Sequence, residues 1–230
     1  MLKIKLFLFK LKNLIIIVKS RILKKKIKSK HKIRKKNFEN FIESKSFSQK
    51  WFLNNFDIFH HYLPKDYTTN FSYLEIGSYE GLSALNILYN YENSKVTTID
   101  LWEKSNINSE SINVNFKEVE DKFDKNLTGY KYNKIKKDSV TAMREILKEN
   151  LFFDIIYIDG SHNGEDILCD GIESYKLLST GGIIIFDDVV NVNKNISIQS
   201  YLGFEKFCEI YKNKIKILYL KNIAVVKKIR

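Results

Sequence analysis

Two kinds of pattern alternate along most of this chain. Short β-type runs occur at Tyr73–Ile76, Lys95–Ile99, Tyr130–Ile135, Asp154–Ile158 and Gly182–Phe186. Between them, apolar residues recur every three or four positions at Glu80–Tyr89, Ile112–Asn126, Ser139–Lys148 and Asn163–Leu178, which predicts helices. In the last of these, Ile167, Leu168, Gly171, Ile172, Tyr175 and Leu178 share one face. Strand and helix in alternation mean βαβ units and a parallel sheet. The cores of the fourth and fifth runs, IIYI and IIIF, have no polar position, as expected of strands buried on both faces. The C-terminus differs. Lys214–Leu220, the pair Lys221-Asn222 and Ile223–Ile229 read as a β-hairpin, so the sheet should end antiparallel. Upstream, Phe38, Phe41, Ile42, Trp51, Phe52, Phe56, Phe59 and Tyr62 fall at helical spacings, and the only proline, Pro64, closes that segment.

Composition divides the chain into three parts: 1–36, 37–64 and 65–230. The net charge of +12 suggests nucleic acid until it is apportioned: residues 1–36 carry 15 Lys/Arg and no Asp/Glu. The remainder holds 24 basic against 27 acidic residues, so the body is mildly acidic and no specific nucleic-acid partner is expected. The longest apolar run of the tail, Leu14 to Val18, is five residues, too short for a membrane span or a signal-peptide core. Ile4, Leu8, Leu11, Ile15 and Val18 share an arc, and Lys5, Lys12 and Lys19 align beside it. Two readings stand: a weakly amphipathic basic segment making peripheral contact with an anionic membrane, or a solvated tail. On the membrane reading a lipid-linked saccharide becomes a plausible substrate. Two cysteines, Cys169 and Cys208, exclude a disulfide scaffold, and a reduced, cytoplasmic setting is the simpler expectation. Oligomeric state does not follow from the sequence.

The chemistry should lie beyond the carboxyl ends of the strands. The first strand runs into Glu75-Ile-Gly-Ser-Tyr-Glu-Gly-Leu-Ser83. Gly77 and Gly81 permit a sharp turn and a close backbone approach, and Ser78 to Gly81 offer N–H groups at a helix start. Asp100 ends the second strand, where a carboxylate can accept both hydroxyls of a ribose. Trp102, just beyond, could stack on a base or only pack. Asp138-Ser139 follows the third strand, within reach of a base edge. Asp159 ends the fourth strand and Asp187-Asp188 the fifth. If those strands are neighbours, three carboxylates converge and need a cation or raised pKa values, with Mg²⁺, Mn²⁺ or Ca²⁺ favoured over zinc. Alternatively, these acids order turns and cap loops. His162 is placed to act as a general base or simply to begin a helix. His31, His60 and His61 lie outside this set.

The order Glu75-Ile-Gly-Ser-Tyr-Glu-Gly81, Thr98-Ile-Asp100, Asp138-Ser139, Tyr157-Ile-Asp-Gly-Ser-His162 and Gly181-Gly-Ile-Ile-Ile-Phe-Asp-Asp188 resembles class I S-adenosylmethionine-dependent methyltransferases. The similarity is greatest to a bacterial group with an IDGSH…GG…DD signature, related to cephalosporin-hydroxylase-type and macrocin-type O-methyltransferases. It covers about residues 70–190. The resemblance implies an α/β, Rossmann-like, doubly wound seven-stranded sheet with an antiparallel last strand. It also extends to catechol O-methyltransferase-like enzymes. It implies that Glu75, Gly77, Tyr79 and Ser83 surround the methionine half of S-adenosylmethionine, that Asp100 binds its ribose and that Ser139 lies near its adenine. By the same resemblance Asp159, Asp187 and Asp188 would hold Mg²⁺, with an Asn usual at the third place, and His162 stands where those enzymes carry a catalytic lysine. The expected activity is methyl transfer to a hydroxyl of a small molecule or saccharide. Metal-independent transfer to nitrogen or a carboxylate, and a cofactor-binding module without turnover, are the alternatives. A nicotinamide dehydrogenase fits worst, since the third glycine of its fingerprint is missing. The segment 37–63 and loops 103–115 and 189–200 should cover the acceptor pocket, 189–200 being polar enough to meet a sugar.

Overall fold

The computed structural model describes residues 2–28, 30–103, 114–189 and 197–230. Seven strands form one sheet: β1 (Ser72–Ile76), β2 (Lys95–Asp100), β3 (Asn133–Lys136), β4 (Phe153–Ile158), β5 (Leu178–Phe186), β6 (Ile215–Leu220) and β7 (Ala224–Lys228). Their order is β3-β2-β1-β4-β5-β7-β6. β1 to β5 pair in parallel, while β7 pairs antiparallel with both β5 and β6. The last strand is therefore reversed, as expected, but it lies inside the sheet and β6 forms the edge.

Helices cover both faces. On one lie α3 (Lys32–Phe41), α4 (Phe56–Tyr62), α5 (Leu82–Asn90) and α6 (Phe116–Leu127). On the other lie α1 (Leu2–Lys12), α7 (Ser139–Lys148), α8 (Gly164–Leu177) and α9 (Ser197–Ile210). Strand β4 shows why the apolar runs are continuous. Ile155 and Tyr157 enter the first core, and Ile156 and Ile158 the second. The chain leaves β1 towards β2 and β3, then returns to β4 on the other side. That reversal opens a crevice between β1 and β4 at their carboxyl ends.

The N-terminal third is built differently from its sequence pattern. α3 runs straight through the charge boundary at Lys36. The single helical segment read over 37–63 is α3, two 3₁₀ turns at Ile42–Ser44 and Trp51–Asn54, and α4. Aromatic contacts anchor it: Phe52 and Phe59 both meet Tyr157 edge-on. His60 is buried, with Nε2 3.0 Å from Asn86 Oδ1 and Nδ1 3.2 Å from the Tyr91 hydroxyl. Burial pushes its pKa down to about 3, so it is a neutral structural group. Residues 2–28 form α1 and α2 (Leu14–Ile27), which dock on α9 and β6. Ser20 Oγ accepts the backbone N–H of Leu220 at 2.9 Å, so α2 covers part of the sheet's open edge.

Candidate active site

The glycine turn is locked to the end of β4. Gly77 adopts φ +83, and a Cβ there would lie 2.3 Å from the Asp159 carbonyl oxygen. Only glycine fits so close an approach. Gly81, also left-handed, begins α5. Between them, Tyr79 N–H donates to Asp100 Oδ2 at 2.8 Å, and Trp102 N–H donates to Asp100 Oδ1 at 2.8 Å. The Asp100 carboxylate is thus fixed by backbone N–H groups on both oxygens, with those of Ser78 and Leu101 also directed at it. Burial raises its pKa against the backbone bonds that lower it.

Trp102 packs against its neighbours in this structure. Its ring is 2% exposed, lies 4.7 Å from Phe123 and donates from Nε1 to the Tyr79 carbonyl. It braces the turn from behind, with Lys134 Nζ 4.6 Å from its ring centroid, while still lining the cavity beside Asp100.

Glu75 is wholly buried on β1, where Tyr73 Oη donates to Oε2 at 2.7 Å. Its Oε1 and the buried Ser78 Oγ make no hydrogen bond of good geometry, although the Ser78 and Ser83 hydroxyls approach the carboxylate closely enough to lower its pKa. Burial drives the Glu75 pKa up to about 7, against hydrogen bonds that lower it. Poorly hydrogen-bonded buried polar atoms are costly, and these two lie at the turn where a ligand's polar groups could satisfy them. Ser83 is buried in the first turn of α5.

Two cavities meet at this turn. The first lines itself with Asp100, Trp102, Asp138, Ser139 and Asp170; the second, of about 470 Å³, with Trp51, Asn55, Ser83, His162, Asp187 and Asp188. Both include Gly77, Tyr79, Asp159 and Gly160. Asp138 caps α7 by accepting from Thr141 N–H at 3.0 Å, the ordinary cap role, while still lining the first cavity. Ser139 Oγ donates to Asp170 Oδ1 at 2.6 Å.

Asp170 was not foreseen. In sequence it is one of several acids on a helix, and only the fold buries it beneath Gly160. Burial raises its pKa to about 7 from 3.8. A carboxyl with a raised folded pKa costs stability as pH climbs from its unfolded to its folded value, and the cost is constant above that. Asp170→Asn should therefore stabilise the protein by a few kcal/mol at pH 8, on the order of 1.4 kcal/mol for each pH unit separating the two values. The gain should vanish below about pH 4, as urea unfolding midpoints across that range would report.

At the second cavity, Asp159 and Asp187 converge over Tyr157. The Tyr157 hydroxyl lies 3.0 Å from Asp159 Oδ2 and 2.5 Å from Asp187 Oδ2. Asn55 Nδ2 donates to both oxygens of Asp187 at 3.1 and 3.0 Å. A phenol has one proton, so it cannot fully donate to both acids. Burial raises both pKa values, and for Asp159 the charge of Asp187 adds to it. Two carboxylates this close in a buried site favour a cation or a shared proton between them. The third acid, Asp188, makes a different contact from the other two. Asp188 sits at φ +46 with Oδ2 3.5 Å from His162 Nε2; it lines the same cavity, and its charge raises the pKa of both Asp159 and Asp187. Among the described residues no three His, Cys, Asp or Glu side chains form a metal-ligating group. The chemistry of the two convergent acids, hard oxygen donors short of positive charge, still fits a divalent cation.

Asn55 and Tyr157 were also missed by sequence reading, since nothing local distinguishes them. The arm preceding Asn55 forms a wall of the second cavity. Ser46 N–H donates to Asn126 Oδ1, and Ser48 N–H and Oγ both donate to the buried Glu80, which also pairs with Lys122. Of the loops expected over the pocket, residues 104–113 and 190–196 lie outside the described residues, while Ser200, on α9, reaches its lining.

The fold and this crevice define a doubly wound α/β protein with two adjoining cavities at its topological switch point. A family model described as a methyltransferase domain matches residues 74–189, half of the chain, and the protein belongs to that family. Solved structures agree in fold. An O-methyltransferase from Bacillus cereus, in complex with SAH, aligns at TM-score 0.51 and 18% identity over 69% of this chain and 74% of its own. A Staphylococcus aureus protein described as a caffeoyl-CoA O-methyltransferase aligns at 0.56 and 16%, over 90% and 99%. MycE, a methyltransferase of mycinamycin biosynthesis solved with Mg, SAH and mycinamycin VI, aligns at 0.53 and 18% over 80% of this chain. The present chain spans about half of MycE, 51%. No curated protein matches the sequence significantly.

Proposed function

We propose that this protein transfers the methyl group of S-adenosylmethionine to a hydroxyl oxygen of a polar small molecule or saccharide, assisted by a divalent cation. The observation that carries this reading is the meeting of two unlike cavities at Gly77 and Asp159. One presents the ribose-type carboxylate Asp100 and the pair Asp138 and Ser139. The other presents the acids, His162 and the amides of Gln49, Asn54, Asn55 and Asn222. Amides of this kind suit an acceptor rich in hydroxyls. The resemblance of the motifs to IDGSH…GG…DD O-methyltransferases points the same way.

The cofactor's cradle fits on this chain's own features: the Gly77 approach, the poorly hydrogen-bonded Glu75 Oε1 and Ser78 Oγ beside it, and the fixed Asp100 carboxylate. Bound there, S-adenosylmethionine would supply an electrophilic methyl. The protein's task is then to orient the acceptor and take its proton. His162 lies on the acceptor side of Asp159 and takes the proton. Asp188, 3.5 Å from its Nε2, stabilises the imidazolium that forms. Asp159 and Asp187 would hold the cation, whose charge lowers the pKa of a bound hydroxyl, and Asn55 and Tyr157 orient those carboxylates.

Labelled methyl transfer to a panel of hydroxylated acceptors tests the reading. EDTA should depress the rate on the order of 100-fold, and Mg²⁺ should restore it. Full activity in EDTA would favour metal-independent transfer, a reading supported by the hydrogen bonds that Tyr157 and Asn55 direct at Asp187.

A further inference from the structure

The N-terminal helices are apolar on two opposite sides, and only one side is used. Asn13 separates α1 from α2, but the i to i−4 ladder passes through it: Asn13 N–H donates to Phe9 O and Ile17 N–H to Asn13 O, both at 3.0 Å. The two helices therefore share one rotational register, about 100° per residue. Phe9, Ile16, Ile17, Ser20, Leu23 and Ile27 fall on the side that packs on the body. Phe9, for example, packs against Tyr201 and Phe204.

The opposite side is bare. Phe7, Leu8, Leu11, Ile15, Val18 and Ile22 lie within an arc of about 120°, and their exposures run from 43% to 71%. Lys12, Lys19 and Lys26 flank this stripe on one side and Lys10, Arg21 and Lys28 on the other, and residues 1–36 hold no acid. A merely solvated helix would place polar residues there. A stripe of large aliphatics bordered on both sides by long basic side chains is the pattern of a helix lying in a lipid interface, its lysines reaching outward to headgroups. Among the described residues no helix is long and apolar enough to cross a membrane.

We infer that α1 and α2 form a fixed interfacial anchor that seats the protein on an anionic lipid surface. The lysine flanks select the occupant. A second copy of this chain would bring its own 15 basic residues against these, whereas anionic headgroups neutralise them. The anchor differs from a flexible amphipathic tail because its inner side is part of the core. It presents the body in one orientation, and no ordering of a tail is needed on contact.

Co-sedimentation of the full chain with vesicles tests this without reference to methyl transfer. Binding to phosphatidylcholine vesicles containing phosphatidylglycerol should exceed binding to pure phosphatidylcholine at least ~10-fold. The substitutions Leu11→Glu and Ile15→Glu together change only exposed positions, and should remove that binding with an unchanged melting temperature. Lys12→Gln with Lys19→Gln and Lys26→Gln should weaken it and lessen its loss at high salt. Three results would overturn the inference: equal binding to both vesicle types, binding that survives Leu11→Glu/Ile15→Glu, or a dimer in sedimentation velocity that this variant dissociates.

Discussion

Asp187→Asn is expected to abolish methyl transfer, lowering the rate on the order of 1,000-fold, while S-adenosylhomocysteine affinity stays within a few-fold. The substitution keeps the size of the side chain and leaves an oxygen for the Tyr157 hydroxyl, now 2.5 Å away. It removes the charge that would hold a cation opposite Asp159. Asp187 lines the acceptor cavity and is absent from the lining of the nucleoside cavity, so the two effects should separate. Kinetics and calorimetry on the same preparation measure both. Loss of cofactor binding with the activity would instead place Asp187 in the cofactor cradle or the folding core.

Gly77→Ala should destroy cofactor binding and destabilise the fold together. The added Cβ would sit 2.3 Å from the Asp159 carbonyl and 2.5 Å from Gly160 Cα, at φ +83. Backbone on both sides must move, which separates the turn from β4 where the two cavities join. A cost of at least ~3 kcal/mol is expected from strain and steric displacement combined, with cofactor affinity down on the order of 100-fold. Gly129→Ala is the control. It shares the left-handed conformation, φ +91, but nothing lies within 4 Å of its Cβ, so it should cost about 1 kcal/mol from φ alone. Thermal melts and titrations of both variants distinguish the steric effect from the conformational one. Equal behaviour of the two would remove the close approach from the account.

Much of the fold was legible because parallel strands write their burial into the sequence. β4 and β5 must pack helices on both faces, so their runs are apolar at consecutive positions. The glycine turn was legible for a related reason, since few residues tolerate its backbone. Asn55 and Tyr157 were not legible. Asn55 meets Asp187 across 132 residues, and no local pattern encodes that distance. Tyr157 reads as one more apolar strand position until β1, β4 and β5 place its hydroxyl between two acids. Trp102 had a local pattern that suited two roles, and the structure gives it both a packing partner in Phe123 and a place in the cavity lining. The tail misled through its lysines. They obscure the second apolar side, so Phe9, Ile16 and Ile27 look like scattered residues of a solvated segment rather than a docked face.

The strand ends of this protein are proposed to form a cradle for S-adenosylmethionine. Calorimetric titration of S-adenosylhomocysteine into the full chain tests it most directly, first with Mg²⁺ and then with EDTA. One site per chain with micromolar affinity is expected in both conditions, because the proposed cation seat includes Asp187, which lines only the second cavity. Asp100→Ala, which removes the ribose-type carboxylate, is further expected to weaken binding on the order of 100-fold. No heat of binding in either condition, from a chain shown to be folded by its melting transition, would contradict the account. The turn, Glu75 and Asp100 would then be structural, and the proposed methyl transfer would have to be withdrawn.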